Sequence, residues 1–216
     1  MHAVITGDLI SSSKYPRELI DEVVRNLGEE FNHLKEENTG RFSLWRGDSF
    51  QGVISEAGKA LEIALRLKAL VNQTNPARGN SAKSSPIMAD VRLAVAVGTL
   101  SDPYVDPADS NEEVFVRSGR ALDSVKKNKR TMVADLPQKE ANREIDVELL
   151  LLEYILNRWS VASAELIYCK LLGMEDYEIA EQLQISVPAV NKRKKVAGWK
   201  ACARLLERFE ELQSYS

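Results

Sequence analysis

Residues 41–55, RFSLWRGDSFQGVIS, decide the fold. Phe42, Leu44 and Val53 alternate with polar positions on either side of Arg46-Gly47-Asp48-Ser49. That period of two predicts two half-buried strands, Arg41–Trp45 and Phe50–Ser55, joined as a hairpin whose turn sits at Gly-Asp. The hairpin is flanked by helical spacing on both sides: Leu19, Val23, Leu27, Phe31 and Leu34 between Pro16 and about Glu37, then Leu61, Ala64, Leu65, Lys68 and Leu70 between about Ala57 and Asn72. Asn38-Thr39-Gly40 breaks the first helix. Further out, residues 2–8 (HAVITGD) read as a β-branched strand ending at Gly-Asp, and residues 90–100 (DVRLAVAVGTL) as the strongest strand, apolar enough to sit centrally in a sheet. A third helix is expected over Val114–Lys127 and a last short strand over Arg130–Ala134. Asn75–Pro86 and Asp102–Glu113 read as surface loops. The order β-α-β-β-α-β, with an added α-β, predicts an α+β, ferredoxin-like domain over residues 1–136.

After Leu136-Pro137-Gln138 the pattern is purely helical, which predicts an all-α domain over residues 143–216. Leu149–Leu156, Val161–Leu172 and Glu175–Leu183 each carry apolar stripes, and a last helix runs from Val187 towards Leu212. Gly198 interrupts it at about 1 kcal/mol relative to alanine, which suggests a bend before Trp199. Within this half, Glu178-Ile179-Ala180, Leu183, a turn at Gln184-Ile185, a capping Ser186 and an inward Val190 have the layout of a helix-turn-helix. Its second helix offers Val187, Pro188, Asn191 and Lys192 towards a groove, with Lys195 and Lys200 for phosphates, and Ser186 and Arg193 complete the expected DNA-binding set. Double-stranded DNA is the implied partner, read by a homodimer on paired half-sites.

Composition sets the limits. The 216 residues carry a net charge of −3, so the chain is not basic throughout, yet no acid occurs between Glu181 and Glu207 and a local patch suffices for duplex binding. No apolar run approaches the ~18 residues of a membrane span, and MHAVITGDLI lacks export-signal features, so a cytoplasmic protein is expected. Only His2 and His33 occur, and Cys169 and Cys202 fall on helical patterns; a zinc site and a disulfide are both disfavoured.

Asp8, at the end of the first strand, and Asp48, in the hairpin turn, are the candidate metal ligands. In the predicted sheet the first strand lies beside the hairpin, so the two carboxylates approach each other and suit Mg²⁺ or Mn²⁺, with nucleotide phosphates completing the shell. Gly7, Ser11, Ser12 and Gly47 line the same end, and the chain after Asp8 leads to a helix whose amides cradle phosphate. The other reading is structural: Gly47-Asp48 as a favourable turn and Asp8 as a helix cap.

Two resemblances extend these readings. Glu178-Ile179-Ala180, Leu183, Ile185-Ser186, Val190 and Arg193 resemble the helix-turn-helix of sigma-factor region 4 and LuxR-type regulators; Lys194 departs from that pattern, standing where an inward apolar residue is usual. The N-terminal half looks like class III nucleotide cyclases and, more distantly, diguanylate cyclases, with Asp8 and Gly47-Asp48 at the metal positions and the RLAVAVGTL strand ending at Gly98. Ser118 to Leu122 falls where those enzymes carry an Asn/Arg helix; the Asn-x-x-x-Arg arrangement is missing here, leaving Arg117 or Arg120 as substitutes. The combination, ITGDLISS and RGDSFQ followed by ISVPAVNKR, is similar to the SatD family of bacterial proteins. What these imply is a DNA-binding regulator with a nucleotide-sensing domain; an active metal-dependent cyclase or nucleotidyltransferase, and a structural interaction module, are the alternatives.

Overall fold

The computed structural model describes residues 1–45, 47–75, 88–102, 105–107, 110 and 112–214. Most of Asn75–Pro86, part of Asp102–Glu113, and Arg46 of the hairpin turn lie outside them. Five strands, β1 (His2–Leu9), β2 (Gly40–Trp45), β3 (Ser49–Ile54), β4 (Val91–Gly98) and β5 (Met132–Asp135), form one sheet in the order β2-β3-β1-β4-β5. Only the β4–β5 pairing is parallel. The first three helices are α1 (Arg17–Glu36), α2 (Ala60–Gln73) and α3 (Glu113–Lys127); five more follow β5, namely α4 (Lys139–Leu156), α5 (Val161–Leu171), α6 (Asp176–Gln182), α7 (Val187–Ala197) and α8 (Trp199–Ser214). The class is the mixed α+β expected from the sequence.

Alternation along β1 assigns its two faces. Ala3, Ile5 and Leu9 enter the main core with α1 and α2, whereas Val4, Thr6 and Asp8 face α3. On the main-core side, Phe31 stacks on Phe42 with centroids 4.6 Å apart, and Phe50 tilts against Phe31 at 5.3 Å. Glycine makes room for these rings. A Cβ at Gly7 would lie 2.3 Å from the Phe50 ring, and one at Gly52 2.2 Å from Phe42.

The helices after β5 do not stand apart. The expected division at residues 136–143 covers the link after β5 and the first residues of α4, which starts at Lys139, and the apolar core runs across it, joining α1, α2 and the sheet to Leu149, Leu166, Ile179 and Phe209. Helix α2 explains how: eleven of its fourteen residues are buried, from Ala60 through Val71, as a helix must be when the sheet packs on one side and α5 on the other. Two of the buried residues are charged. Lys68 Nζ meets the Asp90 carboxylate at 2.7 Å, and Arg66 pairs with Glu30 of α1. Tyr168 of α5 completes that second cluster by donating its hydroxyl to Glu30 Oε2 at 2.7 Å. Among the described residues, no helix is long and apolar enough to cross a membrane.

Burial and the Glu30 carboxylate raise the Tyr168 phenol above its ordinary value. The fold therefore favours the protonated phenol, and that contribution is complete below about pH 10 and fades as pH rises beyond it. Tyr168→Phe is expected to lower stability at neutral pH by about 1–3 kcal/mol, because a buried carboxylate oxygen loses its donor. Urea denaturation checks this, and the variant's loss of stability in alkali should be shallower than the parent's.

Candidate functional site

At the end of β1 the register sets Asp8 opposite Ser49 of β3 on one side and Arg92 of β4 on the other. The next amide, from Leu9, donates to the Asp48 main-chain oxygen at 2.8 Å, so both sequence-predicted acids share one end of the sheet. Asp8 is buried, with one oxygen held by Arg92 at 3.1 Å and by Lys126 of α3 at 3.2 Å. Its other oxygen, Oδ1, is shut away from solvent without a hydrogen-bond partner. Asp48 is half-buried; its carboxylate accepts from Ser12 at 2.8 Å and from Ser49 at 3.3 Å. Ser12 thus belongs to the site. Ser11 is exposed in a left-handed conformation (φ 58°), and Gly47 turns the hairpin with φ 77°, where a side chain would be strained.

Two expected ligand residues are placed elsewhere. Gly7 is buried in the sheet with its α-carbon flush against Phe50, so its lack of a side chain serves packing rather than phosphate. Arg120 is exposed, two residues from the inward Ser118 and therefore on the outer face of α3. Arg117, its alternative, is spent on structure: Nε donates to Asp135 at 2.8 Å and Nη1 to the Val97 oxygen at 3.0 Å. The cations that do reach Asp8, Arg92 and Lys126, were not among the sequence-predicted residues. Arg92 left a signal, as the one charged residue in the apolar run of β4. Next to the acids lies a polar seam under α3, in which Gln51 Nε2 donates to Thr6 at 2.7 Å and to Ser118 at 2.9 Å.

The basic site is built on α7. Ser186 caps the helix by accepting from the Ala189 amide at 3.3 Å, and α6 before it carries a reciprocal capping box between Glu175 and Glu178. Gln184 in the left-handed region (φ 51°) makes the turn, and the Ile185 amide closes it on the Ala180 oxygen at 2.9 Å. Ile179, Ala180 and Val190 are buried between the two helices and α5. Helix α7 ends at Gly198, where φ is 73° and a Cβ would lie 2.7 Å from Ile155. Pro188, Asn191, Lys192 and Lys195 fall at i, i+3, i+4 and i+7 on the outer face, and all four are exposed, as are Ser186, Val187 and Lys200. Arg193 points the other way, its guanidinium 3.2 Å from Glu165 of α5. That ion pair removes Arg193 from the exposed set. Lys194, the departure noted in the sequence, reaches back to Asp176.

No family model and no curated protein matches the chain. Among solved structures, the active GGEEF domain of a diguanylate cyclase from Vibrio cholerae aligns with 64% of this chain and 83% of its own, at 17% identity and a TM-score of 0.45.

Removing Arg92 should strand Asp8 with Lys126 as its remaining cation. Arg92→Met is expected to lower stability by about 1–3 kcal/mol, whereas Arg120→Ala should change it by less than about 0.5 kcal/mol. Urea midpoints of the two variants, compared side by side, decide whether the cationic partner of Asp8 has been assigned correctly.

Proposed function

We propose that the protein is a DNA-binding regulator whose α+β portion senses a nucleotide or related phosphorylated ligand together with a divalent cation. The observation that carries this reading is the outer face of α7. Asn191, Lys192 and Lys195 project from a helix whose opposite face is fixed by Val190 and Ala197, and no acid interrupts the sequence from Gln182 to Leu206. Long donors on a rigid helix beyond a tight turn suit the major groove, and Lys200 extends the charge to the phosphates. The two helices α6 and α7 then form the helix-turn-helix, and a homodimer in the cytoplasm reads the site. The strand order β2-β3-β1-β4, with α1 and α2 as crossovers on one face, supports the ferredoxin-like reading of the N-terminal portion. The similarity to SatD proteins belongs to the same proposal.

The donor chemistry near Asp8 fits a cation under one condition. The buried, unpartnered Oδ1 of Asp8 is an open ligand position, and Asp48 is the second carboxylate. However, Arg92 and Lys126 both pair with Asp8 already, and a divalent ion would add two more positive charges beside them. Phosphate groups restore the balance, so Mg²⁺ or Mn²⁺ binds together with a nucleotide rather than before it. When bound, the ion would screen the phosphates. The protein's own part is to hold the carboxylates in place through Ser12, Ser49 and the β1 ladder.

Two outcomes are expected. Duplex binding should weaken linearly in log–log salt titrations, and Lys192→Ala and Lys195→Ala should each lower the slope by about one; Arg193→Ala should leave the slope unchanged. Mg²⁺ alone should not move the melting temperature. Mg²⁺ with a nucleoside triphosphate at about a hundredfold excess over Kd contributes about 2.7 kcal/mol, or roughly 5–10 °C, and Asp8→Asn should abolish the shift. Turnover of the nucleotide in the same mixture would make the domain an enzyme instead of a sensor.

A further inference from the structure

Helix α4 is apolar on two faces. Ala141, Ile145, Leu149, Leu152 and Leu156 are buried in the core. A second stripe, Val147, Leu150, Leu151 and Tyr154, follows the spacing i, i+3, i+4, i+7 and is 58%, 56%, 66% and 63% exposed. Large apolar side chains set together on the surface mark an interaction site more often than chance. Beside this ridge runs a groove of about 480 Å³ between α4 and α8, floored by Leu152, Ile155, Ala201 and Leu205, with Leu151 on its lip. Glu148 stands at the edge. Its Oε2 is closed off from water with no hydrogen-bond partner, and burial, with the neighbouring Glu144 charge, raises its carboxyl above the ordinary value.

We infer that this α4–α8 face is a homodimer interface, occupied by a second copy of the chain around a two-fold axis near Leu151. Three features select that occupant. First, ridge and groove lie side by side and share Leu151, so one patch offers both the projection and the recess, as an isologous contact requires. Second, the charges complement each other. With that axis perpendicular to α4, the two α4 helices run antiparallel, which brings residue 154 of one copy level with residue 148 of the other. Arg158, just past the end of α4, stacks its guanidinium over the Tyr154 ring, 3.9 Å from the centroid. The pairing therefore carries a cation beside the half-buried Glu148 carboxylate at the groove edge. Third, Ala201 and Arg204 border both this groove and the cleft formed by Lys194, Lys195 and Lys200. Dimerisation here sets two basic faces next to each other, as paired half-sites demand. That last feature rests on the DNA-binding reading; the first two do not.

Sedimentation velocity of the full chain without DNA, from low micromolar to near-millimolar concentration, tests the interface. The parent should dimerise. Leu151→Glu should be monomeric and should melt where the parent melts at concentrations too low for dimerisation, since the side chain is two-thirds exposed. Glu148→Arg should weaken the dimer at least about tenfold, and adding Arg158→Glu should restore it. A monomeric parent hands the face to some other partner and overturns the inference, as does a dimer that survives Leu151→Glu. Duplex affinity is measured separately: a chain that dimerises in this way but binds no DNA supports the interface and removes the regulator.

Discussion

Glu30 and Arg66 are buried together, and the helical portion cannot leave the sheet without disturbing them. A charge pair in a low-dielectric interior persists only while its remaining hydrogen-bonding capacity is met. Tyr168 of α5 meets part of it from across the chain. Withdrawing α5 would leave a carboxylate oxygen without its donor and uncover the apolar back of α2, which is buried on every side. Both losses act in the same direction. The α1–α2–α5 junction is therefore rigid, and any response of α7 to the sheet must pass through packed helices rather than by separation of two bodies.

How much of this was legible in the sequence depends on range. Alternation in RFSLW and SFQGV, the 3.6 period of Leu19 to Leu34, the Ser186 cap and the Gly198 break are all local, and each falls within a few residues of the element it predicts. The partners of charged residues are not local. Asp8 and Arg92 are 84 residues apart and meet only because β1 and β4 pair in one register. Lys126 joins them because α3 crosses that face at a particular phase. Nor does a window of α2 reveal burial on both sides: the charges of Lys68 and Arg66 are balanced only once Asp90 and Glu30 are placed beside them. Gly7 misled for a related reason. Glycine before an acid suggests a ligand loop, but the ring of Phe50 fills the space a side chain would need.

The cations near the C-terminus sort by partner. Arg193, Lys194, Arg204 and Arg208 are tied to Glu165, Asp176, Glu207 and Glu144 respectively; the first two fix α7 against α5 and α6, the third lies within α8, and the last fixes α8 against α4. Lys192, Lys195 and Lys200 are exposed and have no ion pair among the described residues. A chain of net charge −3 thus holds a positive field where neighbouring acids are absent or already engaged. Surface pairs such as Arg204–Glu207 add little stability. Their effect is to leave the uncompensated charge on one face of α7.

Continuity between the two ends of the molecule can be traced: Arg92 lies two residues from Asp90, Asp90 holds Lys68 of α2, and α2 meets α5 through Arg66, Glu30 and Tyr168. Helix α5 in turn packs on α7 and fixes it through Glu165 and Arg193. Continuity is not coupling. In the proposed regulator, a ligand at Asp8 would change the affinity of α7 for DNA only to the extent that it bound the competent and incompetent arrangements differently, and about 1.4 kcal/mol of difference is a factor of ten. The Arg92 and Lys126 contacts to Asp8 are where such a difference can arise. In that proposal, phosphates that drew those cations away would loosen the hold on the end of β4, whereas phosphates held between them would tighten it. The sign of the proposed regulation would then follow from which of these two arrangements leaves α5, and with it Arg193, in its present position.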